Sequence, residues 1–316
     1  MNNTASIAHN MHSTHRQKLI VVVGQTASGK SNVAVTIALH ANGEVISADS
    51  RQVYKDIPIG SGVISDTDMR GIPHHLLGFV SPRVAYTAGQ YREDGRHAIV
   101  DVASRDNVPV IVGGTGFYID TLIHDDPLPE VPPNKTLRAS CAKYSTEELV
   151  ARLASLDPKR ASSIDTNNRR RIVRAIEIAT LLGHVPTIPV RRNSPYDILW
   201  IGIRVPDNEL HTRINARNAS MVHQGLVAEV RALHDKRLSW KRIEELGFEF
   251  AYAAMHIRGM LSQDTMLTRM DIATRQYAKR QKTWFKRNGD IKWFSPNDTA
   301  HILKTVDAFL ADRPAI

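Results

Sequence analysis

Residues 24–31, Gly24-Gln25-Thr26-Ala27-Ser28-Gly29-Lys30-Ser31, have the types and spacing of a loop that holds phosphate. The glycines let backbone N–H groups turn inward around an anion, and a following helix start adds a favourable dipole. Lys30 would neutralise phosphate charge, and the Ser31 hydroxyl can complete a Mg²⁺ shell. A nucleotide and an allylic diphosphate present nearly the same anion, so the loop alone does not choose a reaction. Asp49, within Ser47-Ala48-Asp49-Ser50-Arg51-Gln52, adds a carboxylate. Thr115, within Gly113-Gly114-Thr115-Gly116, adds a hydroxyl. Taken singly, Asp49 also suits an Asx-turn or a helix cap, and Thr115 a turn.

The elements that must position these residues follow from the apolar pattern. Residues 19–23 (LIVVV) and 108–112 (VPVIV) are short apolar runs ending in glycine, which predicts buried strands. Residues 45–47 predict a further strand, 31–40 a helix closed by Asn42-Gly43, and 90–104 a helix with one apolar face. Strand–helix alternation of this kind gives a parallel α/β sheet. The phosphate loop, Asp49 and Thr115 all fall just past strand ends, and in such a sheet those ends share the ligand-binding edge. Near Asp125 the texture changes. Prolines at 127, 129, 132 and 133 and again at 186, 189 and 195 bracket a stretch with helical pattern and no strand. The expected organisation is a tail over 1–17, a catalytic core over 18–126 and 194–316, and a helical insertion over 127–193. The core resumes with a strand over 197–205, helices over 207–235 and 265–288, a strand over 291–294 and a last helix.

Lys and Arg total 41 against 32 Asp and Glu, a formal charge of +9, which suits a polyanionic partner without proving one. The single cysteine, Cys141, rules out an internal disulfide or a cysteine-rich zinc site and fits a reducing cytoplasm. Residues 1–18 are polar and His-rich with no apolar stretch of a leader, and nothing later is long enough to span a bilayer. They are expected to form a disordered tail. No internal repeat is present, and a monomer without an obligate protein partner is the default expectation.

Six segments, in this order and spacing, resemble the bacterial tRNA dimethylallyltransferases, also called isopentenyltransferases. They are GQTASGKS at 24–31, ISADSRQVY at 46–54, PHHLL at 73–77, VGGTGFY at 112–118, RINARNASMVHQGLVAEV at 213–230 and ATRQYAKRQKTWF at 273–285. The resemblance runs from Leu19 to about Phe294. Departures occur at Gly62-Val63, where a lysine is usual, at Gly78, where aspartate is common, and at Phe248, where tyrosine follows the glycine. The zinc finger of eukaryotic members cannot be built with one cysteine.

The resemblance implies a P-loop NTPase-like core with a helical insertion. It also implies transfer of dimethylallyl from dimethylallyl diphosphate to N6 of adenosine 37 in tRNA, with Mg²⁺. Asp49 then matches the residue that takes the N6 proton, and Thr115 one beside the diphosphate and the reacting base. Arg217 matches an arginine on the diphosphate, although an arginine on an amphipathic helix equally suits a surface. Asp49, Ser50, Arg51, Gln52, Thr115, Arg138, Arg170, Arg171, Arg174 and Gln281 match positions assigned to tRNA contact. Of these, the run Asn168-Arg169-Arg170-Arg171-Ile172-Val173-Arg174 would otherwise read as a solvated helix face. Basic and aromatic residues interleave over 274–287 in a way that suits phosphate contact and stacking, though Trp284 and Phe285 suit a core better. The rivals are an isopentenyltransferase acting on free AMP or ADP, a P-loop kinase, and a non-catalytic P-loop RNA-binding protein.

Overall fold

A computed structural model of the chain describes residues 16–125, 128–187 and 193–312. It divides into two compact units, Met1–His124 with Ser194–Ile316, and Asp125–Asn193. Of the expected tail, residues 1–15 lie outside the described residues. The expectation is corrected at Gln17, which opens the first strand and pairs with Tyr196.

The larger unit is built on a six-stranded parallel sheet of strands β1 Gln17–Gly24, β2 Gly43–Ser47, β3 His74–His75, β4 Val108–Gly113, β5 Tyr196–Ile203 and β6 Lys292–Phe294. Their order is β3-β2-β4-β1-β5-β6. The central strands β1 and β4 carry the continuous apolar runs 19–23 and 108–112 because both faces there are covered. Leu19, Val21 and Val23 of β1 pack with Tyr91, Ile99, Ile119, Leu122 and Phe285 on one face. Ile20 and Val22 pack with Val33, Ile37, Ile302 and Val306 on the other. Register sets the site: Val23 lies opposite Gly113, Ser47 opposite Val112, and Gly24 opposite Ile203. The turns after β1, β2 and β4 therefore leave the sheet at one edge. A separate cluster packs Met221, Leu226, Phe250 and Met266, from helices beyond β5 in sequence, against Val53, Tyr54 and Ile57 of the segment after β2.

Several features are absent from the sequence expectations, among them the helix Gly116–Ile123 directly after Thr115. Strand β3 is two residues long, too short to show a period, and is set by its pairing to Val45 and Ile46. The helices Trp240–Leu246 and Phe248–Ile257 are separated only by Gly247.

Among its described residues, the unit Asp125–Asn193 is helical: Lys135–Cys141, Thr146–Leu156, Pro158–Ser163 and Arg169–Leu182. Its own core contains Cys141, Leu149, Leu153, Ile172 and Ile176. The helix starts are capped by Asn134, Ser145, Asp157 and Asn168, each accepting a backbone N–H. At its centre the Glu177 side chain is fully buried and accepts from Arg138 at 2.7 Å, Arg174 at 3.2 Å and the Asn134 N–H at 2.9 Å. Arg174 also donates to Val131 O, and Arg169 to Cys141 O and Tyr144 O. Arg138 and Arg174 thus hold the unit together through Glu177, with their side chains 49% and 36% exposed. Arg170 and Arg171 are exposed and turn away from that core.

Burial opposes charge on Glu177, but its hydrogen bonds from Arg138, Asn134 and Arg174 prevail and hold its pKa below 4.5. The depressed pKa means the contribution is present above pH 4.5 and is lost as pH falls through the lower folded value. Glu177→Ala leaves the Asn134 N–H without its partner and should cost about 1–3 kcal/mol. Urea unfolding at pH 7, with the variant's deficit shrinking below pH 4, checks this.

Candidate active site

The phosphate loop leaves β1 at Gly24, where a Cβ would stand 2.7 Å from Ile203 O and 2.8 Å from Ser28 Oγ. Ala27 and Gly29 have positive φ, 61° and 89°, so the chain curls back on itself before the helix Lys30–His40. Ser28 Oγ is buried without a hydrogen-bond partner. Burial pushes the Lys30 ammonium down to about 8, the nearby Asp49 charge opposes that, and Arg217 reinforces it. A buried hydroxyl lacking a partner beside a lysine held below its ordinary range fits an anion site. Ser31 follows in the first helical turn. Among the described residues no group of His, Cys, Asp and Glu could by itself hold a metal ion.

The turns after β2 and β4 are locked together. Ala48 N donates to Val112 O at 2.7 Å, and Thr115 N to Ala48 O at 3.3 Å. A Cβ at position 113 would lie 2.2 Å from Ala48 O, so only glycine allows the turns to close. Thr115 Oγ1 accepts the Ser50 N–H at 3.2 Å and lies 3.5 Å from Ser50 Oγ. Asp49 Oδ1 accepts the Arg51 N–H at 2.9 Å, an Asx-turn that fixes one carboxylate oxygen and leaves Oδ2 for a substrate. Asp49 thus occupies the structural role open to it from sequence and still faces the Lys30 side chain.

Gln52 is spent on local shape, accepting from Ser47 Oγ at 2.9 Å and donating to Gly62 O at 3.0 Å. Arg51 Nη1 is buried without a partner, and Gly247 leaves it room, since a Cβ there would stand 1.9 Å away. Arg217 is half-buried against Gly62, whose Cβ would fall 2.3 Å from Nη2. The departure at Gly62 thus has a physical reason: φ is +62° and a guanidinium lies against the backbone.

Two glutamates of this region were not singled out from sequence. Glu229 accepts the Ile59 and Gly60 N–H groups at 2.9 and 2.8 Å and pins the loop that carries Gly62. The Glu249 carboxyl is pushed up by burial, against the pull of Arg51 and Arg217. Burial raises the Tyr277 phenol too, with the Asp49 charge adding to it and Thr115 within hydrogen-bonding reach opposing it. Glutamates inside helical patterns carry no signal for such roles. Gln281, which the resemblance places among tRNA contacts, is 4% exposed, and both ends of its amide bind backbone inside the protein.

Comparison with known proteins agrees with this architecture. The family model described as IPP transferase matches residues 52–288, and one described as isopentenyl transferase matches residues 17–77. The tRNA dimethylallyltransferase of Anoxybacillus flavithermus is 35% identical over 298 residues, 93% of this chain and 95% of that protein. That of Bacillus subtilis is 34% identical over 287 residues, 88% and 91% of the two chains. A crystal structure of the tRNA isopentenylpyrophosphate transferase of Bacillus halodurans superposes with a TM-score of 0.72 at 30% identity, covering 94% of this chain and 98% of that one. A eukaryotic dimethylallyltransferase acting on tRNA gives a TM-score of 0.78 at 25% identity, covering 94% and 80%. With the family model spanning most of the chain and relatives matched nearly end to end, this chain belongs to the tRNA dimethylallyltransferase (IPP transferase) family.

Proposed function

We propose that this protein transfers the dimethylallyl group of dimethylallyl diphosphate to N6 of adenosine 37 in tRNA, releasing diphosphate. The observation that carries the reading is the convergence of the phosphate loop, Asp49 and Thr115 at one sheet edge, with Asp49 in the field of Lys30. The diphosphate lies in the loop, against its amides, Ser28 Oγ and Lys30, with Arg217 on its flank. These donors are aimed where charge gathers as the allylic carbon–oxygen bond breaks. The adenine amine is a weak nucleophile because its lone pair is delocalised into the ring. As its nitrogen bonds to carbon it turns acidic, and Asp49 Oδ2 accepts the proton. In this reading the Thr115 hydroxyl turns from Ser50 Oγ to donate to the departing oxygen. Mg²⁺ held by Ser31 Oγ and diphosphate oxygens would add charge neutralisation; the hydroxyl and the partnerless Ser28 beside it fit such an ion–diphosphate pair.

The target base must leave its stack to reach this edge. In this reading Ser50 and Arg51 touch it, and Arg170 and Arg171 hold tRNA phosphates. The protein then works in the cytoplasm, where tRNA is found. Among the described residues no helix is long and apolar enough to cross a membrane. Labelled dimethylallyl diphosphate offered with tRNA, with AMP and alone, beside an ATP hydrolysis assay, tests the reading. Label should enter tRNA only. Transfer to AMP with tRNA ignored, or ATP turnover without transfer, would overturn it.

Replacing Arg170 and Arg171 with alanine should weaken binding to all substrate tRNAs. Each lost phosphate contact should make the plot of log affinity against log salt shallower by roughly 0.7–0.9. Arg174 is left in place because it partners Glu177. Equal salt slopes in both proteins would return the pair to a solvated helix face.

A further inference from the structure

We propose that Gln281 is a positioning residue for the transfer, fixing the distance between the diphosphate cradle and Thr115; the inference rests on the function proposed above. Gln281 lies in the helix Gln263–Phe285 and is 4% exposed. Its Oε1 accepts the Thr26 N–H at 2.8 Å, and its Nε2 donates to Gly114 O at 3.0 Å. Thr26 belongs to the phosphate loop after β1, and Gly114 to the turn after β4. These strands are neighbours, and their ladder runs as far as Val23 opposite Gly113. Past that point the two chains part, and the Gln281 amide takes the place of a peptide unit between them. It offers one acceptor and one donor in the required directions.

Three further contacts show that the bridge is built. A Cβ on Gly114 would fall 2.0 Å from Gln281 Nε2, so the second glycine of the turn is glycine because the amide lies against it. Three residues earlier on the same helix, Ala278 O accepts from Gln25 Nε2 at 3.1 Å, a second tie to the phosphate loop. A Cβ on Gly116 would fall 2.2 Å from Trp284, so the same helix also bears on the far side of Thr115. Thr115 directly follows Gly114 and holds the Ser50 N–H beside Asp49. One amide thus sets the leaving-group site against the hydroxyl and, through Ser50, against the base.

A displacement of about 1 Å at a reacting centre costs on the order of 10²-fold in rate. Gln281→Leu loses both bonds and should slow single-turnover transfer by about that factor. Binding of tRNA without diphosphate should stay within about twofold, since the amide is buried beneath the surface that RNA would meet. Gln281→Glu is the sharper variant. Its carboxylate still accepts from Thr26 but opposes Gly114 O, whereas a protonated carboxyl restores both bonds. Burial raises the pKa of such a group. The rate of Gln281→Glu relative to the unsubstituted protein should therefore climb as pH falls from 9 to 6. Taking the ratio cancels the titration of the rest of the site. Inorganic diphosphate binding, followed by calorimetry, should show the same pH-dependent ratio whatever the reaction. It also serves if Gln281→Leu does not fold. Ratios flat with pH, or variants at full rate, would overturn the proposal. So would weakened tRNA binding at an unchanged rate, which would make Gln281 an RNA contact. If the unsubstituted protein proves inactive on tRNA, the function fails instead, and diphosphate binding still decides the bridge.

Discussion

Asp49→Asn should give a folded protein that still binds tRNA and has lost about 10²–10⁴-fold in single-turnover transfer. Asparagine is the informative replacement because its Oδ1 can still accept the Arg51 N–H that Asp49 holds at 2.9 Å. The Asx-turn therefore survives, and with it the approach of Ser50 to Thr115. What is removed is the capacity to take a proton, together with the negative charge that supports the Lys30 ammonium. Asp49→Ala removes these and the turn, so the difference between the two variants measures the turn. Glu249 is another carboxyl in the same field, with its pKa raised by burial, and is the natural substitute base. Comparing Asp49→Asn with Asp49→Asn/Glu249→Gln separates the two. A near-normal rate in Asp49→Asn, lost only in the double variant, would move the proton to Glu249. A near-normal rate in both would remove proton transfer from this edge altogether.

The core of the fold was legible because its strands are buried on both faces. Continuous apolar runs ending in glycine have few other readings, and β1 and β4 are such runs. Strand β3 left no trace, since two residues have no period and its place depends on partners in β2. The meeting of the phosphate loop, Asp49 and Thr115 was also legible, because parallel strands send their carboxyl ends to one edge. What sequence did not reveal was the occupation of the polar groups. Arg138 and Arg174 are bound to Glu177, and one of these partners lies 39 residues away. Gln281 belongs to a segment resembling a tRNA-contacting one, yet the packing of its helix turns the amide inward. A resemblance transfers a residue's position, whereas its hydrogen-bond partners come from the tertiary structure. Arg51 illustrates the reverse case: its Nη1 remains buried and without a partner, as a group awaiting a ligand would be.

Lys30→Met should weaken dimethylallyl diphosphate binding and slow transfer by about 10²–10³-fold, the usual cost of one donor aimed at a developing anion. The more specific expectation is in the pH dependence. Burial first, and Arg217 second, lower the Lys30 pKa from 10.5 to about 8, with Asp49 pulling the other way. Bound diphosphate favours the charged lysine, so binding is linked to one proton. Below pH 8 the ammonium is already present and affinity is level. Above pH 8 the free protein must first take up a proton, and affinity should fall by about tenfold per pH unit. The linked stability runs the opposite way. Between pH 8 and 10.5 the unfolded chain binds more protons at this group than the folded one, so its contribution to stability rises with pH. A gain in thermal midpoint from Lys30→Met should therefore be largest near pH 7 and shrink toward pH 10. Calorimetric titration of the diphosphate from pH 7 to 9.5, with melting curves over the same range, reads both trends. An affinity that stays level across that range, or that falls equally in Lys30→Met, would take Lys30 off the diphosphate and leave the loop amides and Arg217 to hold it.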